Sequence, residues 1–172
     1  VVDAANVIPP DVEVRIDQKL TALEAQSQRQ LVVATIPSLE GFEISDYGYQ
    51  LGRTWGLGDK QRNDGALLIV APNDRKLRIE VGYGLEPVLT DGLSSLIINQ
   101  TIVPRFKAGD MPGGIEAGID AIITQLTLPP DQAAQVVAQA EARPKQEGFP
   151  LGAVLFMLFI LFFFILPLFA RA

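Results

Sequence analysis

The chain contains neither cysteine nor histidine, and these two absences exclude several kinds of chemistry. Without cysteine there are no disulfide bridges, no thiolate metal ligands and no cysteine nucleophiles. Without histidine there is no Ser-His-Asp catalysis, no phosphohistidine intermediate and no ordinary zinc or copper site. A metal ion would have to be held by oxygen atoms, which favours calcium, magnesium or manganese.

The chain contains fewer basic than acidic residues. There are 14 Lys and Arg against 20 Asp and Glu, and the net charge is −6. No basic patch is visible, whereas binding to the phosphates of nucleic acid requires clustered Lys and Arg. Nucleic acid is therefore not expected as a partner.

Charged residues are absent from Phe149 to Ala170, a run rich in Leu, Phe and Ile. A helix of roughly 20 apolar residues can span a bilayer. We therefore predict one C-terminal transmembrane helix over 149–170. The alternative is a buried core helix, but a core helix is rarely apolar on every face. The first residue is Val1 rather than Met, which a removed signal peptide would explain.

Three short segments have the composition of β-strands. The first covers 30–38 and is rich in β-branched residues. The second, 66–71, is apolar throughout, which is typical of a central strand buried on both faces. The third, 76–81, alternates apolar and charged residues. The turn-forming run 72–75 predicts an antiparallel hairpin between the second and third strands.

Four amphipathic helices are predicted around these strands from the spacing of apolar residues. They cover 11–25, 43–55, a segment that begins at Thr90 or Asp91 and ends near Pro104, and 111–126. Asp11 is the expected N-cap of the first helix, and Trp55, at the end of the second, is predicted to lie in the core. The Gln- and Ala-rich segment 131–142 is expected to be a solvated helix with little to add to the core.

This order of elements predicts an α/β fold, a three-layer α/β/α sandwich with helices on both faces of a small mixed sheet. The sheet is mixed because the hairpin is antiparallel, whereas the crossover into it favours parallel pairing. We divide the chain into a domain at 1–128, a polar helix and linker at 129–148, and the transmembrane helix at 149–170.

Acidic residues cluster around the loops at one end of the predicted sheet. Asp64 precedes the central strand, Glu80 lies near the end of its hairpin partner, and Glu86 and Asp91 follow in the next loop and helix start. Hard cations require several oxygen ligands at once, so a divalent cation site is one interpretation of this cluster. The other is that Asp64 stabilises a turn and Asp91 caps a helix.

Other residues near these loops also have two interpretations. Arg75, Lys76 and Arg78 either hold an anionic group such as phosphate or form a solvated face of the hairpin. Tyr83, between two glycines, either lines a pocket or packs on the sheet. The glycines around Tyr83 are not a dinucleotide-binding motif, because they follow a hairpin strand and a third glycine is missing.

Several stretches of the chain resemble the TPM domain, a family that includes a plant thylakoid lumen protein, a photosystem II repair protein and a receptor modulator of worms. The most specific motif is Glu-x-Gly-x-Gly-Leu-Glu, which begins at Glu80 and is followed by Leu-Thr-Asp at 89–91. The resemblance covers roughly residues 1–127 and rests on the stretches 30–39, 62–70, 73–86 and 106–110.

The chain as a whole is similar to the bacterial members of the YgcG type. These have a signal peptide, an extracytoplasmic TPM domain and a C-terminal membrane helix. Many of them also end in a Gly/Ser-rich tail, which this sequence lacks. The resemblance therefore implies a single-pass membrane protein with its domain on the periplasmic side.

The resemblance also implies an α/β/α sandwich and calcium, or another divalent ion, at the acidic loops. The positions that match the family's motif are Asp64, Glu80, Gly84, Glu86 and Asp91. In this sequence Pro87 follows Glu86, where relatives more often have a small residue such as glycine. A proline there would stiffen the loop and alter the site.

Two functions are open. The first is a non-catalytic, membrane-tethered module that uses the cation to order its loops and binds a membrane-protein partner in assembly or quality control. The second is a metal-dependent acid phosphatase for phosphate monoesters. The resemblance implies this function because the plant member of the family is regarded as an acid phosphatase. In that case Asp64 or Asp91 would be the nucleophile or base, and Arg78 would clamp the anion. We favour the first function because no residue has the signature of an activated nucleophile.

Overall fold

A four-stranded mixed sheet with helices on both faces forms the part of the chain that the computed structural model describes, residues 1–142. Within these residues no helix is both long enough and apolar enough to cross a membrane. The predicted transmembrane helix at 149–170 and the linker before it lie outside the described residues. In chain order the elements are β1 (Val2–Asp3), α1 (Pro10–Ser27), β2 (Gln30–Thr35), α2 (Ile44–Thr54), β3 (Gly65–Ala71), β4 (Lys76–Val81), α3 (Asp91–Ile97), a π-helical turn (Ile98–Ile102), α4 (Val103–Lys107), α5 (Met111–Thr127) and α6 (Pro130–Glu141).

The strands lie in the order β1-β2-β3-β4. The first three are parallel, and β4 runs antiparallel to β3 with Leu68 opposite Ile79. The predicted α/β class, mixed sheet and hairpin are therefore confirmed. Strand β1 was not predicted because its two residues are too few to show a period. It exists because it pairs with Ala34 and Thr35 at the end of β2.

Strand β3 is buried along its whole length and separates two apolar clusters. Leu68 and its alternate neighbours on one face join the cluster formed with α1, α3, α5 and α6. Leu67 and Ile69 face the other way and join a smaller cluster with α2. Successive side chains of a strand point to opposite faces, so helices lie on both sides of the sheet.

Helix α1 has the predicted apolar stripe but not the predicted cap. Its N-cap position is occupied by Pro9, without a side-chain hydrogen bond, and Asp11 lies inside the first turn. There Asp11 accepts a hydrogen bond from Arg15 at 2.8 Å instead of capping the helix. In α3 the cap is Thr90, whose hydroxyl accepts a hydrogen bond from the Leu93 N–H at 3.3 Å. The buried stripe of α1 consists of Val12, Ile16, Leu20 and Leu23.

Trp55 is not in the core, contrary to the prediction. It follows the last residue of α2 and its exposed fraction is 42%. Among the described residues α2 is the only helix in the smaller cluster, and its apolar residues Ile44, Tyr47 and Leu51 are themselves only partly buried. One helix over one face of a sheet cannot bury a large side chain at its own end.

Helix α6 contributes to the core, which corrects the expectation that this segment is solvated. Ala133, Val137 and Ala140 are buried, and α6 packs against α3. Two of these three side chains are alanine. Small side chains let two helices approach closely, yet in a sequence they do not stand out as an apolar stripe.

The chain passes from α3 to α4 through the π-helical turn at Ile98–Ile102. Pro104 follows directly, and its missing N–H removes one hydrogen bond of a regular helix at this point. Ile102 is fully buried in space left by glycines of α5. A Cβ atom on Gly118 would lie 2.5 Å from Ile102 Cδ1. The helix that was predicted to end near Pro104 therefore changes to a π-helical turn just before this proline, next to glycines of α5.

A chain that ends at Ala142 is expected to be more stable than one that ends at Leu128. The shorter chain lacks α6 and exposes the apolar surface that α6 covers, at a cost of roughly 2–4 kcal/mol in free energy of unfolding. Urea unfolding of both chains, followed by circular dichroism, measures the difference. Equal midpoints and slopes would show that α6 adds nothing to the core.

Candidate functional site

Two acidic loops meet at one end of the sheet. The first acidic loop, 55–64, leads into β3, and the second acidic loop, 82–90, leaves β4. Because β3 and β4 are antiparallel, the start of one lies beside the end of the other. The Gly84 N–H donates to the Asn63 carbonyl at 3.0 Å, and the Gly82 N–H donates to the Gly65 carbonyl at 2.8 Å. The hairpin ladder thus continues into contact between the two loops.

Glycine is required where the two loops touch. A Cβ atom on Gly84 would overlap the carbonyl oxygen of Arg62, and one on Gly82 would overlap that of Asn63. Gly58 has a φ of +85°, and a Cβ atom on it would lie 2.6 Å from the Gly65 nitrogen. The structure gives these glycines a steric role, which is to let two backbones come into direct contact.

The carboxylate of Asp64 is held in place just before β3. Asp64 as a whole is only 6% exposed to solvent. Oδ1 accepts a hydrogen bond from the Asp59 N–H at 3.0 Å, and Oδ2 accepts one from Arg62 Nε at 2.6 Å. Burial raises the pKa of the Asp64 carboxyl, but these hydrogen bonds outweigh it and leave the pKa below its usual range. Asp64 is therefore ionised at neutral pH.

Asp59 and Arg62 belong to the same arrangement and were not identified from the sequence. Asp59 Oδ1 accepts hydrogen bonds from the backbone N–H groups of Arg62 and Gln61, at 3.0 and 2.9 Å, which lower the pKa of this carboxyl. The Arg62 guanidinium also lies 4.0 Å from Asp59 Oδ2. One guanidinium therefore compensates two carboxylates. The spacing Asp59-x-x-Arg62-x-Asp64 was the available signal.

Glu80 and Arg78 pair with each other rather than with the acidic loops. Arg78 Nε donates to Glu80 Oε2 at 2.5 Å. Both residues lie on the face of β4 that is covered by α2, where Glu80 is opposite Leu67. A Cβ atom on Gly48 of α2 would lie 3.6 Å from Glu80 Oε2. The alternation of β4 thus directs the Glu80 side chain toward α2.

Arg75 and Lys76 are far from the acidic loops, contrary to the prediction. They lie at the β3–β4 turn, and Lys76 is opposite Ala71 at the other end of β3. Lys76 Nζ is 3.5 Å from Glu43 Oε2. Of the three basic residues that were grouped from the sequence, two therefore belong to the opposite end of the hairpin.

Glu86 and Asp91 are exposed, and so is Tyr83, whose exposed fraction is 80%. Asp91 is the first residue of α3 and does not cap it. Residues 1–142 contain no group of three or more His, Cys, Asp or Glu side chains already arranged to hold a metal ion. The structure does bring Asp64 and Gly84 onto contacting loops, with Glu86 two residues further on. The divalent cation site stays a prediction.

Comparison with known proteins agrees with this fold. The family model described as TPM phosphatase, TPM domain, matches residues 1–125. The chain is 33% identical to the N-terminal domain of a protein from P. gingivalis, solved by NMR, with a TM-score of 0.69 and coverage of 73% of this chain and 80% of that one. A search of the curated proteins gave no match.

Two further NMR structures share the fold. One is a protein of the psychrophilic bacterium Bizionia argentinensis, with 19% identity, a TM-score of 0.61 and coverage of 70% of this chain and 82% of that one. The other is the N-terminal domain of a protein from Corynebacterium glutamicum, with 17% identity, a TM-score of 0.58 and coverage of 74% and 81%. The fold and its contacting loops define a small α/β domain with a mixed sheet. The chain belongs to the TPM domain family.

Replacing Gly84 by alanine is expected to destabilise the protein by roughly 2–4 kcal/mol, because the new methyl group would force the two acidic loops apart. Gly52→Ala is the matched control, since Gly52 lies inside α2 with no atom within 4 Å of the added Cβ. That change should stabilise α2 by up to about 1 kcal/mol. Thermal and urea unfolding of both variants measure the effects, and equal shifts would contradict the steric role of Gly84.

Proposed function

We propose that this chain is a non-catalytic, membrane-tethered TPM module on the extracytoplasmic side of a membrane. It binds a divalent cation, calcium in the first place, at the two acidic loops and presents the ordered loops to a membrane-protein partner. The observation that supports this most is the direct backbone contact between the loop that carries Asp64 and the loop that carries Glu86, through Gly84 and Asn63.

Asp64 is suited to be the fixed ligand of this site. It is ionised, and each of its oxygens uses one lone pair for the bonds to Asp59 and Arg62. A carboxylate has about four lone-pair positions in total, so capacity for a cation remains. Hard cations also accept backbone carbonyls as ligands, and the Asn63 carbonyl lies between the two loops.

Arg62 takes the place of a cation in the ion-free protein. Its guanidinium compensates the charges of Asp64 and Asp59. About half of the Arg62 side chain is exposed, at 51%, so it can turn to solvent when an ion binds. The exposed Glu86 and Asp91 carboxylates would then complete the ligand set. Binding would replace one salt bridge by several ion–oxygen bonds.

Arg62→Gln is expected to strengthen calcium binding, because it removes the group that competes with the ion for Asp64. The ion-free variant should be slightly less stable than the unchanged protein. Asp64→Asn should abolish the calcium effect. At a calcium concentration about 100 times the dissociation constant, binding adds about 2.7 kcal/mol to the free energy of unfolding. Melting curves with calcium and with a chelator measure these changes.

Arg105→Gln is the matched control for Arg62→Gln. Arg105 forms an exposed pair with Asp110 at 3.7 Å, outside the acidic loops, so its replacement should leave the calcium response unchanged. A calcium shift that survives Asp64→Asn would remove Asp64 from the site. A response of the same size in the Arg62 and Arg105 variants would show that Arg62 does not compete with the ion.

The uncharged run at 149–170 supports the membrane tether. We expect the full chain to float with phosphatidylcholine vesicles in a density gradient and a chain that ends at Ala142 to stay at the bottom. A chain of 172 residues that fails to float would contradict the tether, and flotation of the shorter chain would place the membrane contact within residues 1–142.

A phosphatase is the second candidate, and the name of the matching family model favours it. Two observations speak against it. The Arg78 guanidinium is bound to Glu80, and Asp91 is exposed in the first turn of α3. We expect no hydrolysis of p-nitrophenyl phosphate with calcium, magnesium or manganese beyond that of the Asp64→Asn variant. Turnover that is lost in that variant would establish the phosphatase instead.

A further inference from the structure

A buried side-chain amide connects the second acidic loop to α6. Gln125 lies on α5 and is 4% exposed. Its Nε2 donates to the Val88 carbonyl at 2.6 Å and to the Ala133 carbonyl at 3.2 Å. Val88 belongs to the second acidic loop and Ala133 to the first turn of α6. The two N–H groups of one amide therefore join two segments that are 45 residues apart in the chain.

The other end of α6 approaches the first turn of α3. A Cβ atom on Gly92 would lie 3.6 Å from Glu141 Cγ and 3.8 Å from Thr90 Oγ1. Between the two ends, the buried residues of α6 pack against α3. Gln125 therefore connects α6 to the second acidic loop itself, whereas the rest of α6 faces α3.

The connection between the second acidic loop and α6 requires the side-chain amide of Gln125. An apolar side chain of similar length would fill the same space but donate no hydrogen bond, and the Val88 and Ala133 carbonyls would lose a partner. Each such bond contributes about 1 kcal/mol net, and an unpaired buried group costs more. Both bonds are made by one planar amide, so a movement of either segment that displaces the amide also changes the bond to the other segment.

We propose that Gln125 couples the second acidic loop to α6, so that order in one segment raises the stability of the other. Such coupling is reciprocal by thermodynamic necessity. The coupling itself does not depend on an ion. Its use as a signal rests on the proposed function, in which an occupied loop would stabilise the helix that precedes the predicted membrane span.

A double-mutant cycle read by hydrogen exchange tests the coupling in the full chain in detergent micelles. Val137→Ala removes two methyl groups from the buried face of α6 and loosens this helix. With Gln125 present, we expect exchange to accelerate in α6 and also, by about fivefold, at the Val88 and Leu89 amides. These two amides donate to the Leu85 carbonyl at 3.0 and 2.8 Å and so report on the loop.

In a chain that carries Gln125→Met, Val137→Ala is expected to accelerate exchange in α6 but no longer at the Val88 and Leu89 amides. Gln135→Met is the matched control, because Gln135 is an exposed glutamine on α6. In a chain with this change, Val137→Ala should still accelerate exchange at the Val88 and Leu89 amides. If circular dichroism shows that Gln125→Met does not fold, Gln125→Asn replaces it, since its shorter amide cannot reach both carbonyls. Equal acceleration of the loop amides with and without Gln125 would overturn the proposal.

A calcium arm separates this proposal from the proposed function. Calcium added to the unchanged chain should slow exchange in the second acidic loop and in α6, and with Gln125→Met only in the loop. If calcium protects neither segment while the double-mutant cycle still shows transmission, the coupling holds and the cation site is wrong. If calcium protects both segments equally with Gln125→Met, the coupling through Gln125 is wrong and the cation site stands.

Discussion

The complete burial of β3 on both faces is the constraint from which the rest of the structure follows. Seven consecutive buried residues require a helical layer on each side and a strand on each edge. Helix α2 alone covers one face, while α1, α3, α5 and α6 share the other. The ends of β3 also fix where the acidic loops lie. Asp64 precedes its first residue, and the β4 hairpin returns the second acidic loop to the same end.

At that end, backbone contact rather than side-chain packing holds the loops together. Gly82 and Gly84 admit the carbonyls of Arg62 and Asn63, and hydrogen bonds extend the hairpin beyond its last paired residues. The contact leaves the carboxylates of Asp59 and Asp64 beside a single guanidinium. The charge balance at this end of the sheet therefore depends on the single guanidinium of Arg62.

Helix α6 has a different relation to the loops. Two of its three buried side chains are alanine, and a hydrogen bond from Gln125 to the Ala133 carbonyl adds to its attachment. Elements with little buried apolar surface open most readily. Helix α6 therefore depends on its polar contacts with the rest of the domain as well as on its apolar face.

The sequence by itself determined the fold class, the central strand, the hairpin, the long helices and the family, because these depend on patterns of apolar residues and on a long motif within a continuous stretch. Only the tertiary structure decided the rest. Strand β1 exists through pairing, Trp55 is exposed because α2 has no neighbouring helix, and alanines of α6 are buried because α3 is close. Glu80 turns to α2 because a side chain's partners depend on which elements meet in space, and local spacing along the chain carries no record of that. The spacing of Asp59, Arg62 and Asp64 was visible in the sequence, but the turn that joins them in one loop was not.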